Sequence, residues 1–406
     1  MQLAADGLET SDLEAIAAGV LDRRLSRGPR PIAVALSGGG DSVALLLVAQ
    51  AWARAAGRPL LALTIDHGLQ AESARWTAAC AARAAALGIG FRALVWDGEK
   101  PKRGLPAAAR EARHRLLAEA AREAGARVIL MGHTADDVLE ARAMRGAGSS
   151  TPEPREWSPS PAWPEGRGLF LARPLLGVRR AEIRRWLTAR GETWIEDPAN
   201  DDPRYARTRA RKDLGVTEAP EERPLPRDLA AACRMDAAGV LGLDRGRLRA
   251  AAPELARAFV AMACLSAAGT RRPPQRMRAE ALAARLSAEG DLAATLAGAR
   301  VEADAGEVRF LREPGEAARG GLAPLTLAAG ETGVFDGRFE IEGPADVRSL
   351  AGFAAQLPKP ARAGLQTFPP KARASLPFDG VRVLAARPLA LMRLHAACGL
   401  IAREPD

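Results

Sequence analysis

The sequence has few of the residues that disulfide scaffolds and thiol-bound metal sites require. Its 406 residues include four cysteines, four histidines and one tyrosine. The cysteines lie far apart, at positions 80, 233, 264 and 398, and no two of them have the CxxC spacing. This pattern excludes a disulfide scaffold, a zinc ribbon and a cysteine-bound iron–sulfur cluster. We therefore expect a reduced, cytoplasmic protein.

Long hydrophobic runs are also missing. The longest uncharged apolar stretch near the middle of the chain, residues 258–270, is shorter than the ~20 residues that a membrane span needs. The beginning of the chain is acidic and lacks the basic and then apolar order of a signal peptide. These absences predict a protein without a membrane partner.

The chain has more basic than acidic residues, and most of the basic residues are arginines. The chain has 58 basic and 49 acidic residues, a formal net charge of +9, and only five of the basic residues are lysines. A basic chain of ordinary globular composition favours a polyanionic partner, and nucleic acid is the first candidate.

Strand and helix patterns alternate in the first half of the chain. Buried apolar runs at residues 31–36, 60–65, 91–96 and 127–131 are each followed by a helical pattern. Repeated units of this kind predict an α/β fold with a parallel sheet that is covered on both faces.

Two breaks divide the sequence. Residues 149–168 contain five prolines, which predicts a loop or lid without a regular element. A second break over residues 215–226 indicates a domain boundary. The pattern beyond it is mostly helical to residue 292, and from residue 299 it changes to hairpins that turn at Ala305-Gly306 and at Asp336-Gly337.

These breaks predict three domains. We expect a catalytic domain over residues 1–215 and a mostly helical, nucleic-acid-binding domain over residues 216–320. A small strand-rich domain over residues 321–406 completes the prediction.

The strongest local signal is ALSGGGDS, residues 35–42, between a predicted buried strand and a predicted helix. Glycines let the backbone turn tightly and point its N–H groups inward, and the helix that follows adds its positive end. Asp41 can hold a magnesium ion against phosphate oxygens. The sequence matches neither the Walker loop nor the GxGxxG fingerprint, and the alternative is a plain strand-to-helix turn.

Three further segments carry polar side chains at predicted strand or helix ends. IDHGL, residues 65–69, ends the second strand at the edge where α/β proteins bind ligands, although a capped turn also explains it. In LPAAAREARH, residues 105–114, basic side chains share one helix face, an arrangement that is most often solvated. In GHTADDVLEARAMRGAG, residues 132–148, His133, Asp137 and Glu140 lie on one helix edge.

The fifth segment is strongly basic. Residues 173–212 contain ten arginines and one lysine against six acidic residues, a net charge of +5. More than half of the net charge therefore lies in a tenth of the chain, which suits a surface for a phosphate backbone. A solvated basic face without a partner is the alternative.

These five segments, in this order, resemble the tRNA(Ile)-lysidine synthetase family, and SGGGDS by itself resembles the pyrophosphate-binding loop of the N-type ATP pyrophosphatases. The resemblance covers residues 33–212 strongly and the later hairpins weakly. It implies a parallel-sheet N-type ATP pyrophosphatase (adenine nucleotide alpha hydrolase-like) domain, followed by a helical segment and a strand-rich domain. The implied activity uses ATP, Mg²⁺ and L-lysine to modify the wobble cytidine of the CAU-anticodon isoleucine tRNA, which changes decoding from AUG to AUA.

The resemblance also implies residue roles. Asp41 holds the metal and takes part in catalysis, Arg113 steadies the AMP phosphate, and His133 orients groups or relays protons. Asp137 and Glu140 bind the substrate lysine. The residues implied in ATP binding are Ser37, Gly38, Gly39, Gly40, Asp41 and Ser42. The residues implied in tRNA binding are Arg179, Arg180, Arg184, Arg185, Arg207, Arg209 and Arg211.

Two alternatives stay open. Another PP-loop enzyme can thiolate tRNA, but enzymes of that kind and size usually need paired cysteines. A non-catalytic tRNA-binding protein with a relic nucleotide loop predicts that the loop and carboxylate residues are substituted, and here they are intact. The sequence leaves the oligomeric state open.

Overall fold

The computed structural model describes residues 10–68, 72–98, 100–146, 152–196, 223–318 and 322–405. The chain forms two compact units. The N-terminal unit comprises residues 1–222 together with residues 402–406, and the second unit comprises residues 223–401.

The N-terminal unit alternates strands with helices, as the sequence predicts. Its elements are α1 (Thr10–Arg24), β1 (Ile32–Ala35), α2 (Gly40–Ala56), β2 (Leu60–Asp66), α3 (Ser73–Ala86), β3 (Gly90–Val95), α4 (Leu105–Glu123), β4 (Val128–Leu130), α5 (Ala135–Gly146), β5 (Trp157–Pro159), β6 (Phe170–Ala172) and α6 (Arg180–Ala189).

The sheet of this unit has the strand order β3-β2-β1-β4-β6-β5. The pairs β3-β2, β2-β1, β1-β4 and β4-β6 are parallel, and β5 pairs antiparallel with β6. The chain moves outward from β1 to β2 and β3 and then returns to place β4 on the other side of β1. The loops after β1 and β4 therefore meet at a topological switch point, where open α/β sheets bind ligands.

One sequence prediction is wrong in this unit. The proline-rich residues 149–168 were expected to lack regular structure, yet residues 157–159 form β5. Trp157 is buried and stacks on Phe170, with the ring centroids 4.9 Å apart. Because β5 is an edge strand, it tolerates Pro159, which has no N–H to donate to a neighbour.

Helices cover the sheet through small side chains. Ala118 and Ala121 of α4 pack with Ala33 of β1 and Leu63 of β2 in one hydrophobic cluster. Helix α2 contacts both α1 and α6. The first turns of α2 and α6 lie close together, since Arg180 of α6 contacts Asp41 of α2.

The second unit contains both helices and small sheets. Its elements are α7 (Arg227–Ala232), β7 (Arg234–Met235), β8 (Leu241–Asp244), α8 (Arg245–Ala250), α9 (Pro253–Ala268), α10 (Arg276–Ser287), β9 (Leu292–Leu296), β10 (Ala299–Ala303), β11 (Glu307–Arg312), α11 (Pro314–Ala318), β12 (Leu325–Leu327), β13 (Thr332–Phe335), β14 (Phe339–Glu342), β15 (Ala345–Ser349), α12 (Lys359–Gly364), β16 (Pro377–Phe378), β17 (Arg387–Pro388) and α13 (Ala390–Ala397), with 3₁₀ turns at Ala354–Gln356, Leu365–Thr367 and Arg373–Ser375.

Its strands form a five-stranded sheet, β7-β8-β11-β10-β9, and two three-stranded sheets, β12-β15-β16 and β13-β14-β17. Both predicted hairpins are present, since Ala303 pairs with Val308 and Phe335 pairs with Phe339. Strands β7 and β8 lie in the segment expected to be mostly helical to residue 292, because such short strands carry little periodic signal.

The domain division stays a prediction. Residues 223–401 form one unit, so the boundary predicted at residue 320 lies inside it. Within the described ranges, no helix combines the length and the apolar character that crossing a bilayer requires.

Candidate active site

The glycine-rich loop after β1 is held by its two serines. Ser42 Oγ donates a hydrogen bond to the Gly39 carbonyl oxygen at 2.8 Å and accepts one from the backbone N–H of Ser37 at 3.2 Å. The Ser37 hydroxyl, which is exposed, also donates to Ser42 Oγ at 3.1 Å. Ser42 is therefore buried inside the loop and shapes it. The backbone N–H groups of Ser42 and Val43 donate to the Gly39 carbonyl oxygen, so α2 begins directly at the loop and places its positive N-terminal end there.

Close contacts explain why two positions at or near the loop are glycine. Gly38 has a φ of +83°, and a Cβ there would collide with the Ile195 side chain. Gly132, just after β4, lies against the backbone of α2, where a Cβ would sit only 3.0 Å from the Asp41 carbonyl oxygen. The loop after β4 can approach the loop after β1 because this position is glycine.

Sequence reasoning missed the segment that lies over the loop. The backbone N–H of Ile195 donates to the Gly38 carbonyl oxygen at 2.9 Å, and Trp194 packs against Gly40. Arg83 of α3 fixes this segment through an ion pair with Glu192 at 2.5 Å. The available signal was the apolar pair in GETWIED, which stands out in a polar stretch.

Three carboxylates from two helices converge on one guanidinium. Arg180, the first residue of α6, contacts Asp41 Oδ2 at 3.0 Å through Nε and Glu140 Oε1 at 3.2 Å through Nη1. Its Nη2 lies 3.5 Å from Asp137 Oδ2. We call Asp41, Asp137 and Glu140 the carboxylate cluster. The structure thus brings the predicted metal ligand together with the two residues predicted to bind lysine.

Helix termini position this cluster. Asp137 Oδ2 accepts hydrogen bonds from the backbone N–H of Thr134 at 2.8 Å and from its hydroxyl at 3.0 Å, the carboxylate half of a capping box. Asp136 accepts from the backbone N–H of Arg180 at 2.7 Å and from the Arg179 side chain at 3.1 Å. The two neighbouring aspartates therefore have different tasks, since one orders α5 and the other joins α5 to the start of α6.

The electrostatics of the cluster reflect its crowding. Burial raises the pKa of Asp41 above its usual value, and the nearby charge of Asp137 adds to this, while Arg180 opposes it. Burial lowers the pKa of Arg180, but the charges of Asp137, Asp41 and Glu140 outweigh burial and raise it overall. Arg180 is therefore a permanent cation in this environment.

A second group of polar side chains is basic, and we call His67, Arg113, His114, His133 and Arg173 the basic cluster. Arg173 follows β6 and is buried, and its Nε donates to Nδ1 of His133 at 3.0 Å. Because a guanidinium only donates, Nδ1 of His133 must be unprotonated and the ring proton of the neutral form lies on Nε2.

The other two imidazoles of the basic cluster are held neutral. Burial, together with the nearby charge of Arg113, lowers the pKa of His67 to about 4. Burial also lowers the pKa of His114 well below its usual value, and Arg110 and Arg113 contribute. Arg113, in the middle of α4, therefore acts electrostatically on both rings. The carboxylate before His67, Asp66, accepts from the Gly68 N–H at 2.8 Å, as a capped turn requires.

The arginines predicted to bind tRNA fall into three groups. Arg179 and Arg180 are half-buried and face carboxylates of α5, as described above. Arg184 and Arg185 lie on the exposed face of α6, and Arg184 Nη2 is 3.7 Å from Glu196. Arg207, Arg209 and Arg211 lie outside the described residues.

The feature of the site that fits a magnesium ion is the position of Asp41. Among the described residues, no group of three histidine, cysteine or acidic side chains has the arrangement of a ready-made metal site. Asp41 lies in the first turn of α2, partly exposed beside the glycine-rich loop. This placement suits magnesium, which usually binds through one or two carboxylates together with substrate phosphates and water.

Sequence comparisons with known proteins agree on one family. A sequence profile described as a PP-loop domain matches residues 12–218. A tRNA(Ile)-lysidine synthase from Caulobacter vibrioides is 50% identical over 361 residues, which cover 88% of this chain and 86% of that protein. A protein of the same name from Hyphomonas neptunium is 36% identical over 340 residues, covering 77% of this chain and 90% of that protein. Among solved structures, a U34-tRNA thiolase from Methanococcus maripaludis is 15% identical with a TM-score of 0.42, covering 50% of this chain and 71% of that one.

Proposed function

The chain belongs to the tRNA(Ile)-lysidine synthase family, and on this premise we propose that it uses ATP to join lysine to the wobble cytidine of the CAU-anticodon isoleucine tRNA. One observation supports this proposal most strongly. The phosphate-binding loop and the carboxylate cluster meet at the switch point of the sheet, because Asp41 belongs to both. A site for an anionic nucleotide thus adjoins a site for a cationic amino acid.

In the first step, the C2 carbonyl oxygen of the cytosine attacks the α-phosphorus of ATP, and pyrophosphate leaves. Backbone N–H groups at residues 38–40 and the N-terminal end of α2 bind the phosphates as the charge shifts to the leaving group. Magnesium held by Asp41 would neutralise part of that charge. Ser42 keeps the loop in its binding shape through its bond to the Gly39 carbonyl oxygen.

In the second step, the ε-amine of lysine attacks C2 of the activated cytidine, and AMP leaves. The ammonium group must first lose a proton, because only a neutral amine is a nucleophile. Asp137 and Glu140 provide the negative charge that attracts the cation and lie within contact of one guanidinium position. We assign Asp137 and Glu140 as the acceptors of this proton.

The basic cluster is assigned to the leaving AMP. Arg113 supplies a permanent positive charge next to two imidazoles that stay neutral at physiological pH. His133, whose Nδ1 accepts from Arg173, presents an Nε2 proton that can be donated to a phosphate or to a base oxygen. The cluster thus attracts an anion through its arginines. Its buried histidines stay uncharged, so the free-energy cost of protonating them is avoided.

We do not propose the thiolase alternative. All four cysteines are buried and none forms a disulfide. Cys233, Cys264 and Cys398 lie in a hydrophobic core of the second unit, where burial raises the pKa of each thiol. A thiol of this kind is a poor nucleophile and a poor metal ligand.

The test is a direct search for the product. The full chain is incubated with ATP, magnesium, isotopically labelled lysine and total tRNA, and nucleosides are analysed by mass spectrometry after nuclease digestion. The proposal expects labelled lysidine in the isoleucine tRNA that bears CAU, formed only when ATP is present. Consumption of ATP without labelled nucleoside would overturn it.

A further inference from the structure

The carboxylate cluster already contains a cation. Arg180 lies within 3.0–3.5 Å of an oxygen of each of its three members. The Glu140 side chain is fully buried, whereas the side chain of Arg180 is 17% exposed. Arg180 is thus the partly exposed partner of this pair, and a cation that approaches Glu140 Oε1 meets the guanidinium already in contact with it.

This arrangement creates a competition. The ammonium group of lysine and the guanidinium of Arg180 need the same oxygens, Asp137 Oδ2 and Glu140 Oε1. Two cations cannot occupy one such position, because like charges in contact in a half-buried site repel strongly. A site that binds the lysine ammonium must therefore first release the arginine.

We propose that Arg180 is an internal competitor of substrate lysine, which occupies the ammonium position in the ligand-free protein and leaves it when lysine binds. The proposal rests on the proposed function, since it takes lysine as the substrate. Arg180 then sets the lysine concentration at which the site fills, and it keeps the buried Glu140 paired until substrate arrives.

The backbone around Arg180 suits such a movement. Its N–H is fixed by Asp136 at 2.7 Å, and α6 begins at this residue, so the helix stays in place while the side chain rotates. Nε of Arg180 contacts Asp41, the residue beside the phosphate-binding loop. When lysine enters, the guanidinium can move along this direction toward ATP phosphates, which offer it a new anionic partner.

The size of the effect on the lysine Kd depends on the fraction of molecules in which Arg180 has left the cluster. If lysine binds only those molecules in which Arg180 has left, the apparent Kd equals the intrinsic Kd divided by that fraction. An open fraction of about one in ten raises the apparent Kd about tenfold, and a smaller fraction raises it more. We take an open fraction of at most about one in ten, for which removing the competitor strengthens lysine binding at least tenfold.

The experiment measures lysine binding rather than turnover. Labelled lysine is titrated by equilibrium dialysis into the full chain with a non-hydrolysable ATP analogue, for the wild type, Arg180→Gln, Arg180→Lys and the control Arg75→Gln. Arg75 lies on the exposed face of α3, so its removal changes the net charge by the same amount away from the cluster. Melting temperatures with and without lysine are recorded for each protein.

The proposal expects the lysine Kd of Arg180→Gln to fall at least tenfold, with Arg75→Gln within about twofold of the wild type. It also expects a lowered melting temperature for Arg180→Gln that added lysine restores, which a purely structural role would not produce. If Arg180→Gln does not fold, Arg180→Lys decides, because its shorter cation contacts fewer oxygens and should leave lysine bound about threefold more tightly.

An unchanged or larger lysine Kd in the folded Arg180 variant would overturn the proposal and make Arg180 a positioning residue. That result is distinguishable from failure of the proposed function. If the function itself is wrong, the wild type forms no lysidine from labelled lysine and binds none in any variant. If only the competition is wrong, the wild type still makes the product.

Discussion

In the described part of the N-terminal unit, Arg58 and Arg180 both bind buried carboxylates, and their surroundings differ. Arg58 pairs with Glu404 through contacts of 2.8 and 3.0 Å, and both side chains are almost fully buried, with Arg30 Nη1 3.8 Å from the same carboxylate. Its remaining donors bind the carbonyl oxygens of Ser26 and Arg30. Arg180, by contrast, faces the three members of the carboxylate cluster.

We interpret this difference as that between a structural ion pair and a ligand site. The donors of Arg58 and the oxygens of Glu404 are satisfied within the fold, by each other, by backbone carbonyls and by Ser26, so the pair needs no further partner. Arg180 contacts carboxylates from two helices, and burial together with the charge of Asp137 raises the pKa of Asp41 while Arg180 lowers it. A substrate ammonium that displaces the guanidinium would take over its contacts with the same oxygens.

The largest expected effect is on turnover in Asp41→Asn. The amide keeps the shape of the side chain but removes the charge beside the phosphate-binding loop. We expect pyrophosphate release to fall on the order of 10²–10³-fold or more, with the circular dichroism spectrum unchanged. Asp228→Asn, which alters an exposed aspartate in the first turn of α7, is the matched control and should keep full activity. Wild-type turnover in Asp41→Asn with magnesium present would remove Asp41 from the reaction.

Glu404→Gln tests the Arg58–Glu404 pair. Because it leaves the buried charge of Arg58 without its counter-charge, we expect the free energy of unfolding to fall by about 3 kcal/mol. Urea denaturation of both proteins measures this loss. Lysine binding at a temperature where both are folded should not change, and a lysine Kd that shifts as much as in the cluster variants would contradict the division between the two sites.

The same pair predicts a pH dependence. Burial raises the pKa of Glu404, but the hydrogen bonds and charge of Arg58 outweigh it, so the pKa is lowered overall. A carboxyl group with a lowered folded-state pKa contributes its full stability above the unfolded value of about 4.3 and loses it as the pH falls through the folded value. The stability difference between wild type and Glu404→Gln should therefore shrink below about pH 4. A difference that stays constant down to pH 2 would contradict this assignment.

Glu140→Gln tests the role of the carboxylate cluster in lysine binding. A buried cation that loses its counter-charge loses on the order of 2–5 kcal/mol of binding free energy. We therefore expect the lysine KM to rise about 30-fold or more, while ATP-dependent pyrophosphate release continues and the activated tRNA accumulates. Collapse of pyrophosphate release with an unchanged lysine KM would place Glu140 in the nucleotide site instead.

The smallest effect is expected on the exposed face of α6. Arg184→Gln with Arg185→Gln removes two solvent-facing charges that we assign to the tRNA backbone. The expected result is a several-fold weaker affinity for tRNA, and a plot of log affinity against log salt concentration that is less steep by about two. Filter binding over a range of salt concentrations measures both, and an unchanged slope would exclude contact with phosphates.

Part of this candidate site could be predicted from local sequence pattern. The position of the loop between β1 and α2 follows from its glycines and the flanking apolar runs, and Asp137 and Glu140 share a helix edge because of their spacing. Arg180 could not be distinguished from Arg184, since both stand in one arginine-rich segment and Arg180 is set apart by contacts with residues at least 40 positions away. The pattern therefore predicted a nucleic-acid surface for both arginines.

Tertiary packing also explains the other elements that the sequence did not predict. Ile195 acts on the loop through its backbone N–H and its close approach to Gly38, and neither has a sequence signature. Strand β5 depends on the partner that β6 offers rather than on its own proline-rich pattern. Residues that work through distant neighbours become visible only when the chain is folded.

The most direct test of the account is a crystal structure of the wild type with lysine and a non-hydrolysable ATP analogue. The account predicts an ammonium nitrogen of lysine within about 4 Å of Glu140 and Asp137, the usual limit for an ion pair. It also predicts that the Arg180 guanidinium has left these oxygens and lies near the phosphates. Lysine bound elsewhere, with Arg180 still in contact with all three carboxylates, would contradict it.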